Sequence, residues 1–325
     1  ILNDSFGALT CALAHYQPIA ISDSLLSQEA TRRNWQTNEL EELPLHLQDA
    51  LAPLPTAPSL VLIKVPKTLA MLEYQLLRLR EVVTAETRII AAGKVKEIHN
   101  STLALFEQVL GSTKTSLAWK KARLIYPQVE DRPAITNPYP TVWPLDNTDY
   151  QIANHANVFA RASLDIGARF LLEHLPRQKR GLMVDLGCGN GVLGLMALEY
   201  NPEAELLFLD ESYMAVASSQ LNVEKNRPQD LARSRFQVGH SLNGIDSNSI
   251  DVIICNPPFH QLQTITDDIA WQMFRDAKRC LKRGGELWIV GNRHLDYHIK
   301  LKRLFGGAEC IASNSKFVIL RSLNR

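Results

Sequence analysis

The sequence predicts an α/β protein of two tandem, doubly wound domains, and three observations carry that prediction. Short apolar runs alternate with amphipathic stretches through the second half of the chain, the rhythm of strands joined by helical crossovers. A similar order of runs and turns recurs in the first half, as a duplication would leave it. Between them, residues 126–148 are rich in Pro and polar side chains and have no helical period, so they read as a linker and the entry to a second domain. The expected bounds are a first domain over 1–130, a linker over 131–148 and a second domain over 149–325.

In the second half, LMVDL (182–186) stops at a Gly-rich turn and ELLFL (205–209) stops at Asp210. RFQV (235–238) is a weaker run, DVIIC (251–255) leads straight into NPPF, and ELWIV (286–290) follows Arg283-Gly284-Gly285. Helical stretches lie between, such as Trp271–Leu281 with Trp271, Phe274, Ala277 and Leu281 on one face. GAECIA, the turn Ser313-Asn314-Ser315 and KFVILR form a terminal hairpin. Five parallel strands plus that hairpin predict a seven-stranded sheet with an antiparallel edge. In the first half, ILND ends at Asp4, IAIS at Asp23, LVLIKVP at Pro66 and RIIAAG at Gly93. The interval from Asp23 to Pro66 is within a few positions of that from Asp210 to Pro257. Ile1 opens inside an expected strand, which places the true N-terminus upstream.

Composition narrows the function classes. No apolar run approaches the ~18 residues needed to cross a bilayer, and no signal peptide is present in this sequence. A net charge of +1 excludes a uniformly basic coat but not a local basic face. The five cysteines are dispersed without a CxxC pair and read as small buried hydrophobes in a reducing cytoplasm. His294 and His298 stand four apart but lack the Glu of a zinc-binding helix, so no metal site is expected.

Three motifs carry chemistry. The first is Asp185-Leu186-Gly187-Cys188-Gly189-Asn190-Gly191, where glycines let the backbone turn sharply and approach a ligand. Dinucleotide enzymes use similar turns; the preceding Asp185 points elsewhere, since it can take a charged amine through water or a backbone amide. The second is Asp210-Glu211. An acid at a second strand end, roughly 20 residues past the first, accepts both ribose hydroxyls of an adenosine; an exposed helix N-cap is the alternative.

The third is Asn256-Pro257-Pro258-Phe259. An exocyclic amine is a poor nucleophile because its lone pair is delocalised into the ring. The Asn256 side-chain carbonyl and the Pro257 backbone carbonyl form an acceptor pair that pulls such a nitrogen toward tetrahedral geometry. The prolines stiffen the loop, and Phe259 offers a face for the base, worth roughly 1–3 kcal/mol. Softer candidates are Phe159, closing over a cofactor or packing as a staple with Val158, and His240 and Ser241 after the third strand. Arg293, after the fifth strand, meets a phosphate or is a solvated loop cation.

DLGCGNG, LLFLDES, ICNPPFH and LKRGGELWIVGNRHL resemble a class I methyltransferase, and with HANVFARASLDIGARFLL they resemble bacterial ribosomal RNA guanine-N2 methyltransferases. The first half is similar to that of the large-subunit (23S) enzymes rather than the small-subunit (16S) ones. The resemblance implies S-adenosylmethionine as cofactor, 23S rRNA as partner and a cytoplasmic protein. It assigns Asp185, Gly187, Gly189, Asn190, Gly191, Asp210 and Glu211 to the cofactor and Asn256 to Phe259 to the guanine amine. It also implies a degenerate first domain, with its glycine loop shrunk to Phe6-Gly7 and Lys64-Val65-Pro66-Lys67 in the catalytic place. That half is expected to grip RNA through Lys64, Lys67, Lys94, Lys120 and Lys121. The alternatives are a 16S enzyme, a protein glutamine methyltransferase and a non-catalytic RNA-binding assembly factor. No oligomeric partner is implied.

Overall fold

The computed structural model describes residues 1–258 and 263–325. The chain divides into two compact units, Ile1–Tyr139 and Pro140–Arg325. In the second, β9 (Gly181–Leu186), β10 (Ala204–Asp210), β11 (Ser234–Val238), β12 (Ile250–Cys255), β13 (Leu281–Asn292), β14 (Glu309–Ser313) and β15 (Phe317–Leu323) form one sheet. Its order is β11-β10-β9-β12-β13-β15-β14. The first five strands are parallel to one another, and β15 runs antiparallel to both β13 and β14. The expected seven-stranded sheet with an antiparallel hairpin is therefore present.

Strand alternation explains why these runs are apolar throughout. Met183, Leu206, Phe208, Val252 and Ile254 pack on one face with helices α5 (Ile166–Leu172), α6 (Val192–Tyr200) and α7 (Tyr213–Asn226). Val184, Leu207, Leu209, Ile253 and Cys255 pack on the other with α8 (Gln263–Cys280) and α9 (Tyr297–Phe305). A parallel sheet covered on both faces needs hydrophobes at every position. The one buried acid in β9, Asp185, breaks that pattern.

The first unit holds β1 (Ile19–Ser22), β2 (His46–Asp49), β3 (Leu60–Lys64), β4 (Arg88–Lys94), β5 (Thr113–Thr115) and β6 (Ala122–Pro127). Its helices are α1 (Ala8–Ala12), α2 (Leu25–Thr37), α3 (Leu69–Arg80) and α4 (Asn100–Val109). Pairs β1–β2 and β3–β4 are parallel, while β6 is antiparallel to β4 and β5. Leu2 bridges Ile21 and Ile63 in parallel sense and so stands between β1 and β3. The spatial order β2-β1-Leu2-β3-β4-β6-β5 matches that of the second unit, with its first strand reduced to a bridge.

Register aligns the two units residue by residue. Asn3 donates to Ile21 O at 3.0 Å, and Gly187 donates to Leu209 O at 2.8 Å. Gly7 and Gly191 each precede a helix with φ 76°. A Cβ on Gly7 would meet Thr31 at 2.6 Å, and one on Gly191 would meet Ser219 at 2.7 Å. Thr31 and Ser219 are each the seventh residue of their helices, α2 and α7. Leu2 to Gly7 thus matches Leu186 to Gly191 without a gap. The loop has not shrunk to Phe6-Gly7; it keeps its length and has exchanged glycines, with Asn3 (φ 65°) where Gly187 (φ 72°) stands. By the same register Ser22, not Asp23, is the counterpart of Asp210, since each ends its strand and accepts from the backbone N–H two residues on.

Candidate active site

Because β9 to β13 are parallel, their carboxyl ends share one edge, where α/β proteins bind ligands. The glycine turn lies there. Gly191 is required by the close approach of α7, whereas a Cβ on Gly189 (φ 55°) would meet nothing within 4 Å. That open face fits a group laid against the backbone. The Gly189 N–H donates to Asp210 Oδ2 at 3.0 Å, and the Ser212 N–H donates to Oδ1 at 3.0 Å. The half-buried Asp210 is thereby held at the end of β10, where its remaining lone pairs suit two hydroxyls. Asp185 is buried and accepts from the Gly194 N–H at 2.8 Å. Burial, only partly offset by that bond, raises its pKa to about 8, with Asp210 adding to the rise. Burial also pushes up the pKa of Asp210 and of the Cys188 and Cys255 thiols, which makes those thiols inert.

Asn256 follows β12 directly. Its Nδ2 donates to Asp165 Oδ2 at 3.2 Å, and its Oδ1 is buried without a hydrogen-bond partner. The same Asp165 oxygen caps α5 by accepting the Ala168 N–H at 2.9 Å. A carboxylate only accepts, so Asp165 fixes which end of the amide is committed and leaves the carbonyl as the open acceptor. An orphaned buried acceptor costs stability and fits a site awaiting an N–H donor. Ser241 Oγ and Asn292 Oδ1, after β11 and at the end of β13, are likewise buried without partners. Asp165 was not among the sequence candidates. Its only signal was an N-cap acid before an apolar helix, which gives no hint of Asn256 so far along the chain.

Asn190, by contrast, spends its side chain on the scaffold. Its Nδ2 donates to Asn154 Oδ1 at 3.0 Å, and its Oδ1 accepts the Val192 N–H at 3.3 Å. The hairpin β7 (Thr141–Pro144) and β8 (Gln151–Asn154) is tied to α7 by side-chain amides that mimic a strand. Asn222 exchanges bonds of 2.7 and 2.9 Å with the Ala153 backbone, and Asn226 exchanges bonds of 2.8 and 3.0 Å with Gln151. Asn222 also donates to Asn190 O at 2.8 Å. Beyond this hairpin, Val158 is buried and Phe159 is exposed, so the two do not act as one staple. Glu211 and His240 are half-buried. Arg293 is exposed and donates to Asn314 O at 3.3 Å. Pro257 and Pro258 follow Asn256 in the loop; Phe259 lies outside the described residues.

The corresponding place in the first unit is filled. Lys64, at the register position of Asn256, donates from Nζ to Ser5 Oγ at 2.8 Å, and Ser5 stands where Gly189 does. Asn3 and the buried Gln75 exchange bonds of 2.9 and 2.8 Å. Side chains thus occupy the cradle that the second unit leaves open. Of the predicted cations, Lys67, Lys94, Lys120 and Lys121 are exposed, and Lys94 pairs with Glu97 at 3.6 Å.

The profile of the family described as Methyltransferase small domain matches residues 149–321, and that of the RLMG N-terminal domain matches residues 1–131. The Ribosomal RNA large subunit methyltransferase G of Aeromonas salmonicida (strain A449) is 62% identical over 327 residues, spanning 100% of this chain and 86% of that protein. The chain belongs to the ribosomal RNA large subunit methyltransferase G family. Other members are 60% identical in Klebsiella pneumoniae subsp. pneumoniae and 58% in Yersinia pestis (strain Pestoides F), covering 86% and 82% of those proteins. A solved T. thermophilus 16S rRNA N2 G1207 methyltransferase (RsmC), in complex with AdoMet and guanosine, shares the fold. It superposes with a TM-score of 0.77 at 20% identity, covering 98% of this chain and 85% of that one. This member of the large-subunit family therefore has the same two-domain architecture as a small-subunit enzyme. No helix among its described residues is long and apolar enough to cross a membrane.

Proposed function

We propose that the chain transfers the methyl group of S-adenosylmethionine to the exocyclic N2 amine of a guanine in 23S rRNA, in the cytoplasm. The observation that carries this reading is the Asn256 carbonyl, buried and unpartnered at the strand edge that also carries the open glycine turn. Family membership supplies the class of RNA. The open face at Gly189 would take the cofactor, with Asp210 on its ribose and Asp185 toward its charged amine. Bound there, the cofactor supplies an electrophilic methyl group on a sulfonium centre.

The chain's own contribution is orientation. Asn256 Oδ1 and the Pro257 carbonyl accept the two N–H groups of the amine. Both bonds favour a tetrahedral nitrogen, whose lone pair then points away from them. No general base is required, because the amine becomes acidic once methylated. Paired guanines hide this amine, so the target nucleotide must be unpaired or flipped. The exposed Lys67, Lys120, Lys121 and Arg293 contribute salt-dependent phosphate contacts. The filled cradle leaves the first unit an RNA-binding rather than a catalytic role.

Incubation of the protein with tritiated cofactor and deproteinised 23S rRNA, 16S rRNA or protein should label 23S rRNA alone, as 2-methylguanosine in the digest. Label in protein, or on another base atom, would overturn the reading. Asp210→Ala should weaken cofactor binding by about 10- to 100-fold in calorimetry, the scale of hydrogen bonds to a charged group. An unchanged constant would remove Asp210 from the ribose.

A further inference from the structure

We infer that the tip of the β5–β6 hairpin in the first unit is a stacking platform for an unpaired RNA base, with Trp119 as the platform. The inference rests on the RNA substrate proposed above. Trp119 and Ala122 exchange two backbone hydrogen bonds of 2.9 Å each around a two-residue turn. The central residues, Lys120 (φ 46°) and Lys121 (φ 65°), are both left-handed. Such turns favour Asn-Gly, because a side chain at positive φ is strained. The Lys121 carbonyl accepts the Val95 N–H at 2.9 Å, a backbone bond that any residue there could make, so it gives no reason for two lysine side chains at these strained positions. A locally unfavourable choice of this kind points to function.

Exposure points the same way. Leu117 is 92% and Trp119 72% exposed, although neighbouring Ile125 and Pro127 of the hairpin are buried. The tip is braced, since the Ser116 N–H donates to Leu124 O and the Leu124 N–H donates to Ser116 Oγ, each at 3.0 Å. Lys120 Nζ lies 4.6 Å from the Trp119 ring centroid, which steadies the indole and sets a cation beside it. From Ser112 to Pro127 the hairpin carries Lys114, Lys120, Lys121 and Arg123 and no acid. An exposed indole with Lys120 against its ring and three further cations on the same hairpin matches a nucleobase flanked by phosphates. Stacking on a side chain requires a base free of its partner, so the platform favours single strands over duplex.

The test measures binding of the full chain to labelled single-stranded and duplex RNA of equal length. The variants are Trp119→Ala, Trp119→Phe, and Lys120→Asn with Lys121→Gly. Trp119→Ala should weaken single-strand binding by about 5- to 100-fold and duplex binding by less than about twofold. Trp119→Phe should keep most of the affinity, and cofactor binding should be unchanged in both. The Asn-Gly variant should melt higher than the parent yet bind RNA more weakly, with a salt slope flatter by about one to two phosphates. Equal loss of single-strand and duplex binding, or no loss with Trp119→Ala, overturns the platform. So does a Trp119→Ala protein that binds naked RNA normally and fails only on assembled particles, because the tip then meets protein. A parent chain that binds and methylates no rRNA overturns the wider reading, whereas a parent that methylates 23S rRNA with Trp119 dispensable overturns only the platform.

Discussion

Asn256→Ala should lower methylation of 23S rRNA by roughly 10²- to 10³-fold, the usual cost of removing a preorganised hydrogen-bonding group from the reacting atoms. Cofactor affinity should stay within a few-fold, because Asn256 follows β12 while the glycine turn follows β9 and Asp210 ends β10. The loss should fall on kcat in single-turnover assays, since the acceptor matters most as the nitrogen turns tetrahedral. Asp165 gives an internal control. Asp165→Asn keeps an N-cap for α5 but lets the Asn256 amide present either end, as a neutral amide can donate as well as accept. It should lower kcat by about tenfold or less with the melting temperature nearly unchanged, and Asp165→Ala should also destabilise α5. A large loss of cofactor binding in Asn256→Ala would sink the assigned role.

Much of this arrangement was legible in the sequence because its cause is local. Five apolar runs of β length ended at turn residues, and each became a strand, with RFQV at the sheet edge as β11. The Gly-rich turn and the loop after DVIIC were readable because backbone conformation and proline stiffness are written into those residues. Contacts between distant residues were not. Asp165 and Asn256 meet only once the sheet has formed. The asparagines of α7 read as ordinary polar positions, yet Asn222 and Asn226 hold β8 in place through the spacing of one helical turn. The first-unit loop departs from the sequence expectation for the same reason. Its glycines had been replaced, so it seemed short, and only the pairing of Leu2 with Ile21 and Ile63 recovered its full length. Asn190, which sits among cofactor-type glycines, proved to brace the loop through Asn154.

Asp185 should make the cofactor-free protein less stable as pH rises from about 4 to about 8, and its replacement should remove that dependence. In the folded chain burial raises the pKa of this carboxyl to about 8, against an ordinary value of 3.8. Between those values the folded chain holds a proton that the unfolded chain has released, so folding is penalised progressively as pH climbs. Below the lower value both states are protonated and no penalty exists; above the upper value it is constant. Asp185→Asn keeps an acceptor for the Gly194 N–H and cannot ionise. Its free energy of unfolding should therefore exceed the parent's by a margin that grows across that window, on the order of a few kcal/mol at its top, and its melting temperature should rise accordingly. The proton also gives a signature of binding. An ammonium group brought near Asp185 favours the carboxylate, so cofactor binding at pH 7 should release up to one proton. Calorimetry in buffers of different ionisation enthalpy would read that release, and Asp185→Asn should abolish it while weakening affinity. If the parent takes up or releases no proton, and the Asn variant gains no stability at pH 7 to 8, then Asp185 is ionised already and its burial is compensated by contacts other than Gly194.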